Sequence, residues 1–150
     1  MKMNNFLNEL LADLNQMLML TYQVHWYMRG KGFLVYHPML DSYIEEYQDD
    51  IDEVAENLIM LGGAPFSTLE EMAKNTKLEI TAGDYGVTIE AQLEKLLAGL
   101  KYFQAKCQEG MELAEEENLV HIVDLCSDML ASTNKHIWML NAELGKAPNA

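Results

Sequence analysis

Apolar residues recur at intervals of three and four positions in four long stretches of this chain. This spacing places them on one face of an α-helix. It predicts helices over residues 5–28, 37–61, 87–115 and 117–144. Three prolines and nine glycines are few, and most of them lie in short regions between these stretches. Amphipathic helices that each bury one face predict an all-α fold, a four-helix bundle.

Residues that favour turns and helix ends separate the predicted helices. Residues 29–32 contain two glycines, which tolerate the backbone angles of a turn. Pro38 fits the first turn of the second helix, where the missing amide proton costs nothing. Thr68 and Glu71 have the spacing of a capping box, which predicts a short extra helix over residues 68–74. This extra helix lies between the second and third long helices.

The composition limits the class of protein. A chain of 150 residues, 49% of them apolar, predicts one domain over residues 1–150. Its 24 acidic and 10 basic residues give a net charge of −14, which repels nucleic acid and anionic membranes and attracts cations. The chain contains no run of 18 apolar residues and no secretory signal, so no membrane span is predicted. Cys107 and Cys126 form no CxxC pair and are predicted to be buried free thiols in a reducing cytoplasm.

The second predicted helix has three faces when its residues are placed about 100° apart around the axis. Asp41, Asp52 and Glu56 fall within about 60° of one another and form a polar stripe. The predicted core face consists of Leu40, Ile44, Tyr47, Ile51, Val54 and Leu58. The remaining face is strongly acidic, is predicted to be solvated, and consists of Ser42, Glu46, Asp49, Asp50, Glu53 and Asn57. The polar stripe therefore lies on the shoulder of the helix, where it would meet a second molecule rather than the bundle core.

Five side chains of this region form a candidate set of metal ligands: His25, His37, Asp41, Asp52 and Glu56. Imidazole nitrogens combined with carboxylate oxygens suit iron, manganese or zinc better than copper(I) or an iron–sulfur cluster. Taken singly, His25 is also typical of a hydrogen-bonded core histidine. Asp52 and Glu56 are also typical of a solvated helix face. The joint pattern favours a metal site.

Helix geometry divides these ligands. Asp41 and Asp52 are separated by about 16 Å along the axis, at about 1.5 Å per residue. Two carboxylates that each bind one ion at about 2 Å cannot be that far apart. The sequence therefore predicts two half-sites, one made of His25, His37 and Asp41 and the other of Asp52 and Glu56.

A two-fold pair of chains would complete these half-sites. If two copies of the second helix packed antiparallel about an axis near Glu46 and Tyr47, complementary halves would meet twice. The sequence thus predicts two equivalent shared sites in each dimer.

Several motifs resemble the Dps family of miniferritins. They are VHWYMRGKGF at residues 24–33, DEVAE at 52–56, LGGAP at 61–65 and KHIWML at 135–140. The candidate ligands also match that family's ferroxidase spacing, His-x11-His-x3-Asp-x10-Asp-x3-Glu, at every position. The resemblance covers essentially the whole chain.

This resemblance implies a ferritin-like bundle and a homododecameric shell built from two-fold dimers. It implies that His25, His37 and Asp41 of one subunit, with Asp52 and Glu56 of its partner, form a ferroxidase site for iron. Such a site has room for two ions, and zinc or manganese can substitute. The implied activity is oxidation of Fe(II), usually with hydrogen peroxide, and storage of the Fe(III) mineral, which protects against oxidative damage.

The resemblance also suggests supporting residues. Trp26, beside His25, is a candidate radical trap, with an interface or packing aromatic as the alternative. The candidates for mineral nucleation, with an ordinary solvated face as the alternative, are Glu46, Asp49, Asp50 and Glu53. The candidates for an acidic entry pore are Asp124 and Asp128, followed by Glu115, Glu116 and Glu117. His136 is expected to cap or pack.

The chain departs from the family in its basic residues. Many members bind DNA through a lysine-rich tail, but only Lys2 and Lys146 lie near the ends of this sequence. Phosphate neutralisation needs several clustered cations. We therefore expect DNA binding to be absent or weak at physiological salt.

Two other functions are compatible with parts of the pattern. A passive metal-binding shell would keep the ligands and bind zinc or calcium without oxidising iron. A helical interaction module would bind no metal. Oxidation of added Fe(II) separates the proposed ferroxidase from both.

Overall fold

The computed structural model describes residues 2–150 and contains five helices over that range. They are α1 (Lys2–Tyr27), α2 (Phe33–Met60), α3 (Leu69–Asn75), α4 (Ile89–Glu116) and α5 (Val120–Glu143). Helix α1 packs against α2 and α4, and α4 packs against α5, so the four long helices form a bundle. The short α3 lies against α1. The predicted all-α bundle with a short extra helix is confirmed.

The apolar faces of the four long helices meet in one core. Tyr47 and Phe103 are its largest buried rings, and their centroids lie 6.2 Å apart in an edge-to-face contact. Helices α1 and α4 approach closely at Gly99, where an added Cβ would lie 2.5 Å from Leu20 Cδ2. The core fixes the rotation of α2 and so decides which of its residues reach solvent.

Helix α2 begins four residues earlier than the predicted start at residue 37. Gly32 caps it with φ of 100°, a left-handed conformation that glycine adopts without strain. Phe33 is therefore the first helical residue, and Pro38 lies inside the helix rather than in its first turn. The amide proton that Pro38 lacks would have bonded to the carbonyl of Leu34. Leu34 lies at the solvent-exposed start of α2, so water can satisfy that carbonyl.

The other helix ends differ less from prediction. The capping box is confirmed, since Thr68 accepts a hydrogen bond from the Glu71 amide and Glu71 accepts one from Thr68. Helix α4 begins at Ile89, two residues after the predicted start at residue 87, because Thr88 caps it. Helix α5 begins at Val120 instead of residue 117, after a turn in which Asn118 has φ of 58°.

The buried face of α5 agrees only in part with its apolar periodicity. The periodicity predicts a stripe made of Leu119, Val123, Cys126, Leu130, Thr133, Ile137, Leu140 and Leu144. Cys126, Thr133, Ile137 and Leu140 are buried, whereas the other four are only partly buried. Near the start of α5 the buried residues are instead Ile122, Leu125 and Met129. Apolar residues are adjacent in this part of the chain, so periodicity alone could not choose between the two faces.

A buried carboxylate attaches the connection between α3 and α4 to the bundle. Asp13 of α1 is fully buried. It accepts hydrogen bonds from the Thr76 hydroxyl at 2.7 Å, the Lys77 amide at 2.9 Å and the Tyr102 hydroxyl at 2.8 Å. Because Tyr102 belongs to α4, this one carboxylate links α1, α4 and the connection between α3 and α4.

Within residues 2–150, no helix combines the length and the hydropathy needed to cross a membrane.

Candidate metal centre

The end of α1 and the start of α2 bring His25 and His37 together. His25 Nδ1 donates a hydrogen bond to the His37 backbone carbonyl at 2.7 Å, and His37 Nδ1 donates one to the His25 carbonyl at 2.8 Å. A carbonyl oxygen can only accept, so Nδ1 carries the proton in both rings. In the neutral imidazoles the lone pair is therefore on Nε2, the atom left to bind a metal ion.

Stacking fixes the planes of these two rings. The centroids of His25 and His37 lie 3.6 Å apart, with only 7° between their planes. Phe33 stacks on His37 with a centroid distance of 4.6 Å and an angle of 22°. Two rings stacked on one imidazole must lie on opposite faces of it. His37 is therefore held between His25 and Phe33, and only its edge is free.

A carboxylate lies beside this pair. Asp41 is one helical turn after His37, and its Oδ1 lies 3.5 Å from His25 Nε2. Its side chain is 68% exposed, whereas that of His25 is 11% exposed. The turn at residues 29–32 thus brings the three residues of the first predicted half-site together at the surface.

The second predicted half-site lies elsewhere on α2. Asp52 and Glu56 are exposed and one turn apart. They lie about 16 Å or more along the helix from Asp41, at about 1.5 Å per residue. Among residues 2–150, no group of three or more His, Cys, Asp or Glu side chains is close enough to hold a metal ion. One chain therefore presents both groups of donors without joining them.

Trp26 projects from the outer side of α1, next to His25. It is 55% exposed and stacks on Tyr22 with a centroid distance of 4.9 Å. The Tyr22 hydroxyl in turn accepts a hydrogen bond from Gln48 Nε2 of α2 at 3.2 Å. Sequence reasoning missed Tyr22, although its position one turn before Trp26 was a usable signal.

The acidic face of α2 is not uniformly solvated, which corrects the sequence-based expectation. Glu46 is partly buried and accepts hydrogen bonds from the Ser132 hydroxyl and, at 2.6 Å, from His136 Nε2. Tyr43 stacks on His136 at 3.8 Å. Burial favours the neutral carboxyl, but the hydrogen bonds from His136 and Ser132 outweigh it, so the pKa of Glu46 is lowered. Glu46 is thus hydrogen-bonded to α5 and is not fully solvated.

The other residues of the acidic face of α2 differ in their exposure to solvent. Asp49 and Glu53 are exposed, as predicted, whereas Asn57 is buried. Asp50 is partly buried. Its pKa is raised to about 7, mainly by burial and then by the carboxylates of Glu46, Glu53 and Asp49. The core-facing rotation of α2 is the reason, since it turns one edge of the acidic face toward α5.

The remaining candidates lie apart from the histidine pair. Asp124 and Asp128 are exposed on the first turns of α5. Cys107 and Cys126 are buried free thiols.

Comparison with known proteins identifies the family of this chain. The ferritin-like domain family matches residues 4–150. The DNA protection during starvation protein of Streptococcus suis is 48% identical over 142 residues, which are 95% of this chain and 83% of that protein. The X-ray structure of Dps from Listeria monocytogenes superposes with a TM-score of 0.96 at 38% identity, covering 99% of this chain and 96% of that one.

A structure with lower sequence identity belongs to a protein whose superfamily is described by its metal chemistry. The Dps protein of Vibrio cholerae, described as a member of a broad superfamily of ferritin-like diiron-carboxylate proteins, is 28% identical, with a TM-score of 0.89. The match covers 95% of this chain and 89% of that one. With the family match over nearly the whole sequence, these similarities show that the chain belongs to the Dps family of ferritin-like proteins.

Proposed function

We propose that this protein is a ferroxidase that stores iron. It would oxidise Fe(II), preferably with hydrogen peroxide, at sites shared between two subunits, and keep the Fe(III) mineral inside a homododecameric shell. The observation that carries the proposal is the histidine pair with Asp41, whose two Nε2 atoms are free while every Nδ1 is occupied. Membership of a diiron-carboxylate superfamily supports iron as the substrate.

The proposed site needs a second copy of the chain. His25, His37 and Asp41 form one half, and Asp52 and Glu56 lie too far along α2 to reach the same ion. Antiparallel packing of two α2 helices would bring the Asp52 and Glu56 carboxylates of a second copy to each histidine pair. The exposure of these two carboxylates supports such an interface, because neither makes an ion pair with any of residues 2–150 of its own chain.

The ring geometry supports two ions in each site. A ring nitrogen binds a metal ion at about 2 Å, close to the plane of its ring. The rings of His25 and His37 are stacked in planes that are nearly parallel, so one ion cannot lie close to both planes. We therefore assign one ion to each imidazole.

The donor types suit the proposed reaction. Anionic oxygen donors stabilise Fe(III) more than Fe(II), because the more highly charged ion is the harder one. Two Fe(II) ions each lose one electron, and hydrogen peroxide takes up both electrons and two protons to give two waters. Breaking the O–O bond with a pair of electrons in this way releases no hydroxyl radical. Trp26 and Tyr22 lie next to the site and could reduce an oxidising equivalent that escapes it.

Mixed assembly tests the shared site. Chains with Asp52→Ala and chains with His37→Ala are each expected to be inactive. A hybrid dimer of the two would have one site with all its ligands, so random reassembly should restore about a quarter of the wild-type sites. The measurement is ferric absorbance after anaerobic loading of Fe(II) and addition of peroxide, with His25→Ala as a negative control. Failure of the mixture to recover activity would show that the site is not shared, and binding without oxidation in the wild type would indicate a passive metal-binding shell.

We also propose that the protein does not bind DNA tightly. The net charge of −14 opposes approach to phosphate. Several of the basic residues are paired with carboxylates of the same chain, namely Lys74, Lys77, Lys106 and Lys146. A reducing cytoplasm is the compartment we propose, since Cys107 and Cys126 are both free thiols.

A further inference from the structure

We infer that Phe33 is a positioning residue for the proposed ferroxidase site and holds the imidazole of His37 in its metal-binding orientation. The inference rests on the proposed function, since it concerns how one of the proposed ligands is kept in place. Phe33 carries no donor atom and is not one of the five candidate ligands, although it is the last residue of the motif at residues 24–33.

Contacts on three sides restrain the His37 ring. His25 covers one face at 3.6 Å, and Phe33 covers the other at 4.6 Å. The Nδ1 edge is bonded to the His25 carbonyl. That carbonyl belongs to the last turn of α1, where carbonyls have no helical amide to accept from. Only the Nε2 edge remains open, which is the edge that a metal ion requires.

Phe33 reaches this position through local sequence. It is the first residue of α2, and His37 follows it by four residues, so both side chains lie on the same side of the helix. The helix can start at Phe33 because Gly32 adopts φ of 100°, and an added Cβ at Gly32 would lie 2.5 Å from the Tyr36 ring. Phe33 is also partly buried and packs against the hydrophobic core. Phe33 therefore connects the rigid bundle to a ligand at its surface.

The contact has a consequence for metal binding. His25 is 9% exposed and is held by its surroundings, whereas His37 is more accessible and lies on the first turns of α2. Without the Phe33 ring, water would reach one face of His37, and the imidazole could adopt rotamers that turn Nε2 away from its metal-binding orientation. Loss of a stacked ring of this kind is expected to weaken metal binding about three- to tenfold.

Cobalt(II) titration of the assembled protein tests the inference, with visible absorbance as the signal of imidazole-bound metal. Phe33→Leu removes the aromatic face and is expected to raise the dissociation constant for Co(II) about three- to tenfold. Phe33→Tyr keeps the ring and should bind within about twofold of wild type. In Fe(II) oxidation, Phe33→Leu should raise the half-saturating Fe(II) concentration and leave the rate at saturating Fe(II) unchanged.

Two further variants separate the possible outcomes. Phe66→Leu removes a partly buried ring far from the histidines and should leave Co(II) binding unchanged. His37→Ala should abolish the Co(II) signal that Phe33→Leu weakens. If the wild type binds no Co(II) through His37, the proposed site itself is wrong. If it does, but Phe33→Leu binds as tightly as wild type, or Phe33→Tyr is as weak as Phe33→Leu, the positioning role of Phe33 is refuted.

Discussion

The hydrogen-bonded pair of Glu46 and His136 is expected to stabilise the packing of α2 against α5, and so the folded state. Glu46 of α2 accepts hydrogen bonds from His136, at 2.6 Å, and from Ser132, both on α5. Tyr43 and Asp50 are the neighbouring titratable groups on α2. We consider Glu46→Gln, which keeps the shape of the side chain and removes its charge.

The structure sets the size of the effect. Hydrogen bonds to a charged group contribute about 1.5–3 kcal/mol, against about 0.5–1.5 kcal/mol for neutral partners. The side chains of Glu46 and His136 are 27% and 14% exposed, so solvent screens part of this difference. We expect Glu46→Gln to lower the free energy of unfolding by about 1–2 kcal/mol. For a chain of this size that corresponds to a Tm lower by about 2–8 °C.

The effect depends on pH in a defined direction. The pKa of Glu46 is lowered below its ordinary value of 4.5 in the folded protein. The ionised carboxylate therefore stabilises the folded state above pH 4.5, and this contribution is lost as the pH falls through the lowered folded-state pKa. The Tm difference between wild type and Glu46→Gln should consequently shrink on going from neutral pH to about pH 4.

Thermal unfolding followed by circular dichroism at both pH values measures this difference. Glu45→Gln is the matched control, because Glu45 is the exposed neighbour and makes no ion pair in the part of the chain that the structure describes. A Tm loss that is equal at both pH values, or equal for both variants, would refute the assignment of the effect to the Glu46–His136 pair.

Four other outcomes are expected. Burial raises the pKa of Cys107 far above its ordinary value and that of Cys126 to about 11, so neither thiol should react with a disulfide reagent at about pH 8 until the chain is unfolded. Asp13→Ala removes the acceptor of three partly buried hydrogen bonds and should lower the free energy of unfolding by about 2–4 kcal/mol, with faster amide exchange at Lys77. Asp124→Lys should slow iron uptake while Co(II) binding stays the same, and an unchanged uptake rate would exclude Asp124 from the entry pore. Plasmid DNA should migrate unretarded with this protein at physiological salt, whereas retardation that persists at high salt would contradict the charge argument.

The candidate site was largely predictable because its parts are local. His37 with Asp41, and Asp52 with Glu56, are one helical turn apart, and the distance between the two groups follows from the helix rise alone. The reciprocal hydrogen bonds between His25 and His37 were not predictable. They depend on how closely α1 and α2 approach, which the spacing along the chain does not specify.

The predicted start of α2 was four residues too late, and for that reason the contact between Phe33 and His37 was not predicted. A helix predicted to begin at residue 37 leaves Phe33 outside it, so the stacking of Phe33 on His37 could not be anticipated. Gly32 sets the start of α2, because its left-handed conformation allows the helix to begin at the next residue. Pro38 pointed to a later start only because an interior proline is usually unfavourable, and here the exposed end of the helix reduces that cost.

The sequence by itself determined the four long helices, their polar stripes and the separation of the five candidate ligands into two groups. These features depend on the rise and rotation of a single helix, which are the same in every protein. Only the tertiary structure decided that Glu46 accepts a hydrogen bond from His136, 90 residues away. It likewise decided that Asp13 accepts a hydrogen bond from Thr76 in the connection after α3. It also decided that Ile122, Leu125 and Met129 are buried near the start of α5. Such contacts depend on the rotation and register of two helices relative to each other, and these are set by side-chain packing across the whole core.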